Sequence, residues 1–124
     1  MNSVSWARQF PGQSSQVGAA RRFTREHFGH NDALEIVVSE LTTNAIRHSR
    51  SGEAGGWFTL HLEKFPGKVQ VRVSDLGGPK EPACVEDAGT GNSGRGLSLV
   101  DSFSIAWGVG GSEVGRIVWA DLAL

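Results

Sequence analysis

Glu40-Leu41-Thr42-Thr43-Asn44-Ala45-Ile46-Arg47-His48-Ser49 places a carboxylate and a carboxamide four residues apart within a segment of helical periodicity. That spacing aims both side chains at one spot. Just upstream, Leu34, Val37, Val38, Leu41 and Ala45 recur at helical intervals and form a single apolar stripe. Asn44 lies roughly 75° and Glu40 roughly 115° from the centre of that stripe, with Arg47 beyond them. One face of the helix is therefore buried, and the polar pair sits on its shoulder, against a groove. Asn31 or Asp32 caps the start, with Asp32 and Glu35 at capping-box spacing, and the helix stops near Ser49 to Gly52.

Before this helix, Val4 to Phe10 reads as a short edge strand stopped by Pro11-Gly12. Ser14 or Ser15 then caps a helix running through Val17, Ala20 and Phe23 to about Phe28. Its basic face, Arg21, Arg22 and Arg25, reads as a solvated surface. After it, Gly55-Gly56 precedes a strand from Trp57 to Glu63 that alternates apolar Phe58, Leu60 and Leu62 with polar Thr59, His61 and Glu63. Pro66-Gly67 makes a hairpin turn into Val69-Gln70-Val71-Arg72-Val73-Ser74-Asp75. Strand parity sends Asp75 to the covered face with the three valines. A carboxylate there is costly unless something pairs with it, so Asp75 is an anomaly that asks for a function.

Gly77 to Gly94 shows no periodicity and reads as a long loop, with a lid over about 79–94. Gly94-Arg95-Gly96 opens a short helix through Leu97, Leu99, Val100 and Phe103. Two last strands, about Ser104 to Val109 and Gly115 to Leu122, are joined by a turn at Gly110-Gly111. The order of elements predicts an α+β two-layer sandwich, a mixed but mainly antiparallel sheet with its helices on one face.

The 124 residues, 39% of them apolar, suit one compact domain over 1–124. A formal charge of −1, from 12 basic and 13 acidic residues, provides no global field for steering onto nucleic acid or an anionic membrane. The lone Cys84, in the predicted lid, excludes an internal disulfide and argues against zinc. No run approaches the ~18 apolar residues of a membrane span, and no signal-peptide core is present, so a soluble cytoplasmic protein is expected.

Gly89-Thr90-Gly91-Asn92-Ser93-Gly94 spells G-x-G-x-x-G, yet no strand precedes it, as a dinucleotide fingerprint requires. A P-loop fails too, because Arg95 and Gly96 stand where Lys and Ser/Thr belong. What remains for Gly94 and Gly96 is to let backbone N–H groups close on a polyphosphate at a helix start.

Glu40-x-x-x-Asn44-Ala, Asp75-x-Gly77-Gly78 and Gly94-Arg95-Gly96-Leu97 resemble, in order and spacing, the N, G1 and G2 boxes of the GHKL (Bergerat-fold) ATP-binding superfamily. Within it the chain is most similar to the small stand-alone anti-sigma-factor serine kinases of high-GC Gram-positive bacteria. Phe10-Pro11-Gly12, Leu97-Ser98-Leu99-Val100-Asp101 and Val118-Trp119-Ala120-Asp121-Leu122 are also in that style. The resemblance implies ATP and Mg²⁺ as cofactors, with Asn44 as metal ligand, Glu40 as general base and Asp75 accepting the adenine amino group. It further implies that Gly77 lets the backbone approach the base, and that Gly94, Arg95, Gly96 and Leu97 hold the phosphates, with Arg47 in the nucleotide-binding set. The family commonly carries a threonine before the Val-Trp of the last strand, where it supports the adenine; here the position is Ile117.

By the same resemblance, the expected activity is phosphorylation of a serine on a STAS-type anti-sigma-factor antagonist, with sequestration of a sigma factor, in a homodimer. The alternative is a non-catalytic partner-binding module of the same fold. A histidine-kinase catalytic half fits less well, since 124 residues leave no room for a phosphoacceptor helix pair. Trp107 and Trp119 read as core or interface anchors, Trp57 and Trp6 as an exposed sheet face that aids dimerisation, and His48 as structural.

Overall fold

The computed structural model describes residues 3–78 and 95–124. The lid expected over 79–94, with Lys80, Cys84, Gly94 and the G-x-G-x-x-G stretch, lies outside the described residues. Period-two alternation builds the sheet: β2 (Trp57–Phe65) and β3 (Lys68–Asp75) bury Phe58, Leu60, Leu62, Val69, Val71 and Val73 on one face. Their hairpin closes at Pro66-Gly67, with Phe65 opposite Lys68 and Gly67 at φ 75°, as the second central residue of a type II turn requires. β1 (Val4–Pro11) joins β2, β5 (Gly115–Ala123) joins β3, and β4 (Ala106–Ser112) joins β5, giving the order β1-β2-β3-β5-β4. Each of these pairings is antiparallel, so the sheet is antiparallel throughout its described strands rather than mixed.

The apolar face is covered by α1 (Gln16–Phe28), α2 (Asp32–His48) and α3 (Arg95–Phe103). α2 inserts Leu34, Val37, Val38, Leu41 and Ala45, as its stripe predicts, while α1 adds Ala20 and Phe23 and α3 adds Leu97 and Val100. Phe10 anchors β1 by stacking on Phe58 at 5.5 Å and meeting Phe23 edge-on at 6.0 Å. The result is the expected α+β sandwich with its described helices on one face. Among the described residues no helix is long and apolar enough to cross a membrane.

Several local expectations change. Ser15 holds the N-cap position of α1, but its side chain makes no capping bond; Gln13 and Ser14 carbonyls accept the Gln16 and Val17 N–H groups instead. The N-cap of α2 is Asn31, whose Oδ1 accepts the Leu34 N–H at 3.0 Å. The Glu35 carboxylate is shared between the Asn31 backbone and Arg25, which binds it with two bonds, Nη2 to Oε1 at 2.7 Å and Nε to Oε2 at 3.1 Å. That guanidinium holds the Glu35 carboxyl below its ordinary value. Arg21 also reaches across, donating to Ser39 Oγ at 3.1 Å. The basic face of α1 is thus partly a seam to α2 rather than a wholly solvated surface.

The turn between the last strands is Glu113-Val114, with Ser112 opposite Gly115. Gly110-Gly111 belongs to β4, where Gly111 takes φ 90° and pairs with Arg116. Trp6 lies on the helix side, stacked on His27 at 4.6 Å. Trp107 ties β4 to α3 by donating from Nε1 to Asp101 Oδ1 at 2.8 Å. Trp119 is on the open face, its ring against Gly108, and Trp57 is 43% exposed.

Asn31→Ala should lower the unfolding free energy by about 1 kcal/mol in urea titrations. Ser15→Ala, whose hydroxyl makes no capping bond, should leave the midpoint where it is; equal losses in the two variants would contradict this capping assignment.

Candidate functional site

β3 ends on Asp75, which is 8% exposed and faces the helices with Val71 and Val73. Its Oδ1 accepts the Gly77 N–H at 2.7 Å, and among the described residues it forms no ion pair. Burial pushes the carboxyl above its ordinary 3.8, and the Gly77 N–H, the charge of Arg116 and the Arg116 backbone N–H pull it back only in part. A buried acceptor with so little compensation is suited to a ligand's donor.

The backbone beyond Asp75 is pinned by two elements, the β4–β5 turn and the 3-10 turn after α2. Gly77 has φ 72°, and a Cβ there would stand 2.3 Å from the Glu113 carbonyl oxygen, so only glycine lets the chain press against the β4–β5 turn. Its carbonyl accepts the Arg50 N–H at 2.7 Å, and Arg50 Nη1 donates to the Glu113 carbonyl at 2.8 Å. Ser51, fully buried in a single 3-10 turn after α2, accepts the Leu76 N–H on Oγ at 3.0 Å. Sequence reasoning saw only a helix stop at Arg50 and Ser51, since nothing local signals that both reach the end of β3.

α2 supplies the second part of the site. Asn44 is 8% exposed, and among the described residues no hydrogen bond engages its carboxamide. Glu40, one turn earlier, is half-buried; burial raises its carboxyl above the ordinary 4.5, and the Arg47 charge opposes that rise. Arg47 itself is exposed. α3 packs against α2, opening with Arg95 and Gly96, and the Leu97 side chain lies in the core.

Ile117 is not beside Asp75. Alternation along β5 turns Arg116, Val118, Ala120 and Leu122 inward and leaves Ile117 40% exposed on the open face. The cross-strand partner of Asp75 is Arg116, 4% exposed, whose Nη2 donates to the Gly78 carbonyl oxygen. The same period of two was available in the sequence Gly115 to Leu122.

The structure therefore brings the end of β3 against the 3-10 turn that follows α2 and packs α3 on that same helix. A nucleotide with Mg²⁺ would fit this donor set: a buried carboxylate for a base amino group, a carboxamide oxygen that no hydrogen bond engages among the described residues for a hard cation, and a helix start for phosphate. Among the described residues no cluster of three His, Cys, Asp or Glu is placed to hold a metal ion.

The chain is also similar to known proteins. The family described as histidine kinase-like ATPase domain matches residues 6–121. The serine-protein kinase RsbW of Listeria innocua is 38% identical over 66 residues, 53% of this chain and 41% of that protein. RsbW of Listeria monocytogenes gives the same figures. The match thus spans about two-fifths of the length of these relatives.

A raised Asp75 pKa means that the folded chain binds more protons than the unfolded chain between 3.8 and the folded value. Stability then falls as pH rises through that window and stays lower above it. Without nucleotide, Asp75→Asn should melt a few degrees higher than wild type near pH 7, with the gap closing toward pH 4. A variant that melts lower at every pH would show the charge to be fully compensated.

Proposed function

Because the chain belongs to the histidine kinase-like ATPase domain family, we propose that it is an ATP- and Mg²⁺-dependent protein serine kinase that acts as an anti-sigma factor. Its substrate is a serine of a small STAS-type antagonist, and it sequesters a sigma factor while that antagonist is phosphorylated. The observation that carries this reading is the inward carboxylate of Asp75, buried without an ion pair among the described residues. Transfer to serine, rather than hydrolysis alone, is supported by the two Listeria relatives, both named serine-protein kinases.

On this reading Asp75 accepts the exocyclic amino group of adenine, and Gly77 admits the base edge without a side chain in the way. Asn44 offers its carboxamide oxygen to Mg²⁺, and the backbone at Arg95, Gly96 and Leu97 lies where the start of α3 favours phosphate. ATP supplies the phosphoryl group and leaves as ADP. Glu40 takes the proton of the serine hydroxyl as that oxygen bonds to phosphorus and the bond to the β-phosphate oxygen breaks. Burial helps Glu40 in this role, because a carboxylate of raised pKa is a better base near neutral pH.

Calorimetry should show micromolar binding of Mg-ATP, abolished in Asp75→Asn, and binding in Asn44→Ala that no longer responds to Mg²⁺. A wild type that binds no nucleotide would leave a partner-binding module on this scaffold. Glu40→Ala should slow transfer to the antagonist by about 10²–10⁴-fold with ATP binding retained. The acid limb of the wild-type rate should lie above pH 4.5, since the base must be ionised and its pKa is raised. An undiminished Glu40→Ala would remove the base from the scheme.

A further inference from the structure

Arg116 is a buried cation that the scheme above leaves without a task. Antiparallel register sets it directly across from Asp75, on the covered face of the sheet. Its guanidinium runs past the end of β3 to the Gly78 carbonyl oxygen, and Asp75 takes the Gly77 N–H rather than an ion pair with it. The wall that would meet a base thus carries a carboxylate and, beside it, a planar group with five N–H donors, of which Nη2 is engaged by Gly78.

That pairing changes which purine can be read. Adenine presents an amino donor next to a ring-nitrogen acceptor, whereas guanine presents a carbonyl acceptor next to ring N–H and amino donors. A carboxylate standing alone accepts the adenine amino group and repels the guanine carbonyl oxygen. A carboxylate flanked by a guanidinium satisfies either edge. Asp75 takes the adenine amino group, or else the ring N–H and amino groups of guanine, whose carbonyl oxygen then falls to Arg116. Arginine is well matched to a carbonyl of this kind, since its fork is planar and permanently charged.

We propose that Arg116 is a specificity-determining residue of the base wall and that, with Asp75, it admits guanine nucleotides alongside adenine nucleotides. This inference rests on the nucleotide-site reading given above. Titration of Mg-ATP and Mg-GTP into the full 124-residue chain tests it by calorimetry, on wild type, R116M and R116K. Wild type should bind GTP within about tenfold of ATP, and R116M should lose more than about tenfold in GTP affinity while ATP changes by less than about threefold. R116K should resemble R116M, because an ammonium lacks the fork. Thermal melting confirms that each variant is folded, and R116K carries the comparison if R116M is not.

Wild-type binding of ATP with GTP more than about tenfold weaker overturns the proposal and leaves the adenine site standing. So does an R116M variant that binds ATP more tightly with GTP unchanged, which would make the guanidinium a plug. Failure of wild type to bind either nucleotide brings down both readings together.

Discussion

A carboxylate held on the covered side of a sheet end constrains the rest of this molecule. Asp75 can face inward only if the backbone after it turns sharply enough for the Gly77 N–H to reach Oδ1. That turn needs a glycine at φ 72° pressed against the Glu113 carbonyl. Arg50 and Ser51 then hold the same few residues from the end of α2. None of these contacts is large alone, at about 0.5–1.5 kcal/mol for a typical hydrogen bond. Together they fix three chain segments around one charge.

α2 links that knot to the chemistry because it serves two surfaces at once. Its stripe from Leu34 to Ala45 is core, and removing any of it would loosen the sheet from its cover. The shoulder of the same helix carries Glu40 and Asn44, so their positions are as rigid as the core beneath them. Glu40 and Asp75 share one electrostatic signature, carboxyls pushed upward by burial. A fold selected for stability alone would place neither there, and this supports a functional reading of both.

The fold was legible wherever a pattern repeats over several residues. The stripe of α2, the alternation in β2 and β3, the Pro66-Gly67 hairpin and the inward parity of Asp75 all follow from periods of 3.6 and 2. What failed depended on a distant partner. Glu35 has capping-box spacing with Asp32, yet the N-cap is Asn31 and the Glu35 carboxylate is held chiefly by Arg25. Gly110-Gly111 reads as a turn because glycine tolerates turns, but it tolerates a kinked strand as well, and pairing with β5 decides between them. The alternation of β5 turns Arg116 inward and Ile117 outward, so one residue along this strand is enough to change faces.

The register of the sheet's middle also governs how the chain acquires its site. The β2–β3 and β4–β5 hairpins each join strands adjacent in sequence, whereas Val73 opposite Val118 closes a large span of chain. Closing that span costs entropy before any long-range contact compensates. Asp75 and Arg116 meet through that same docking of β5 on β3. Folding of the sheet centre and the juxtaposition of Asp75 and Arg116 are therefore one event, and a ligand that recognised both residues would act as a clasp on the whole domain, raising its stability by mass action.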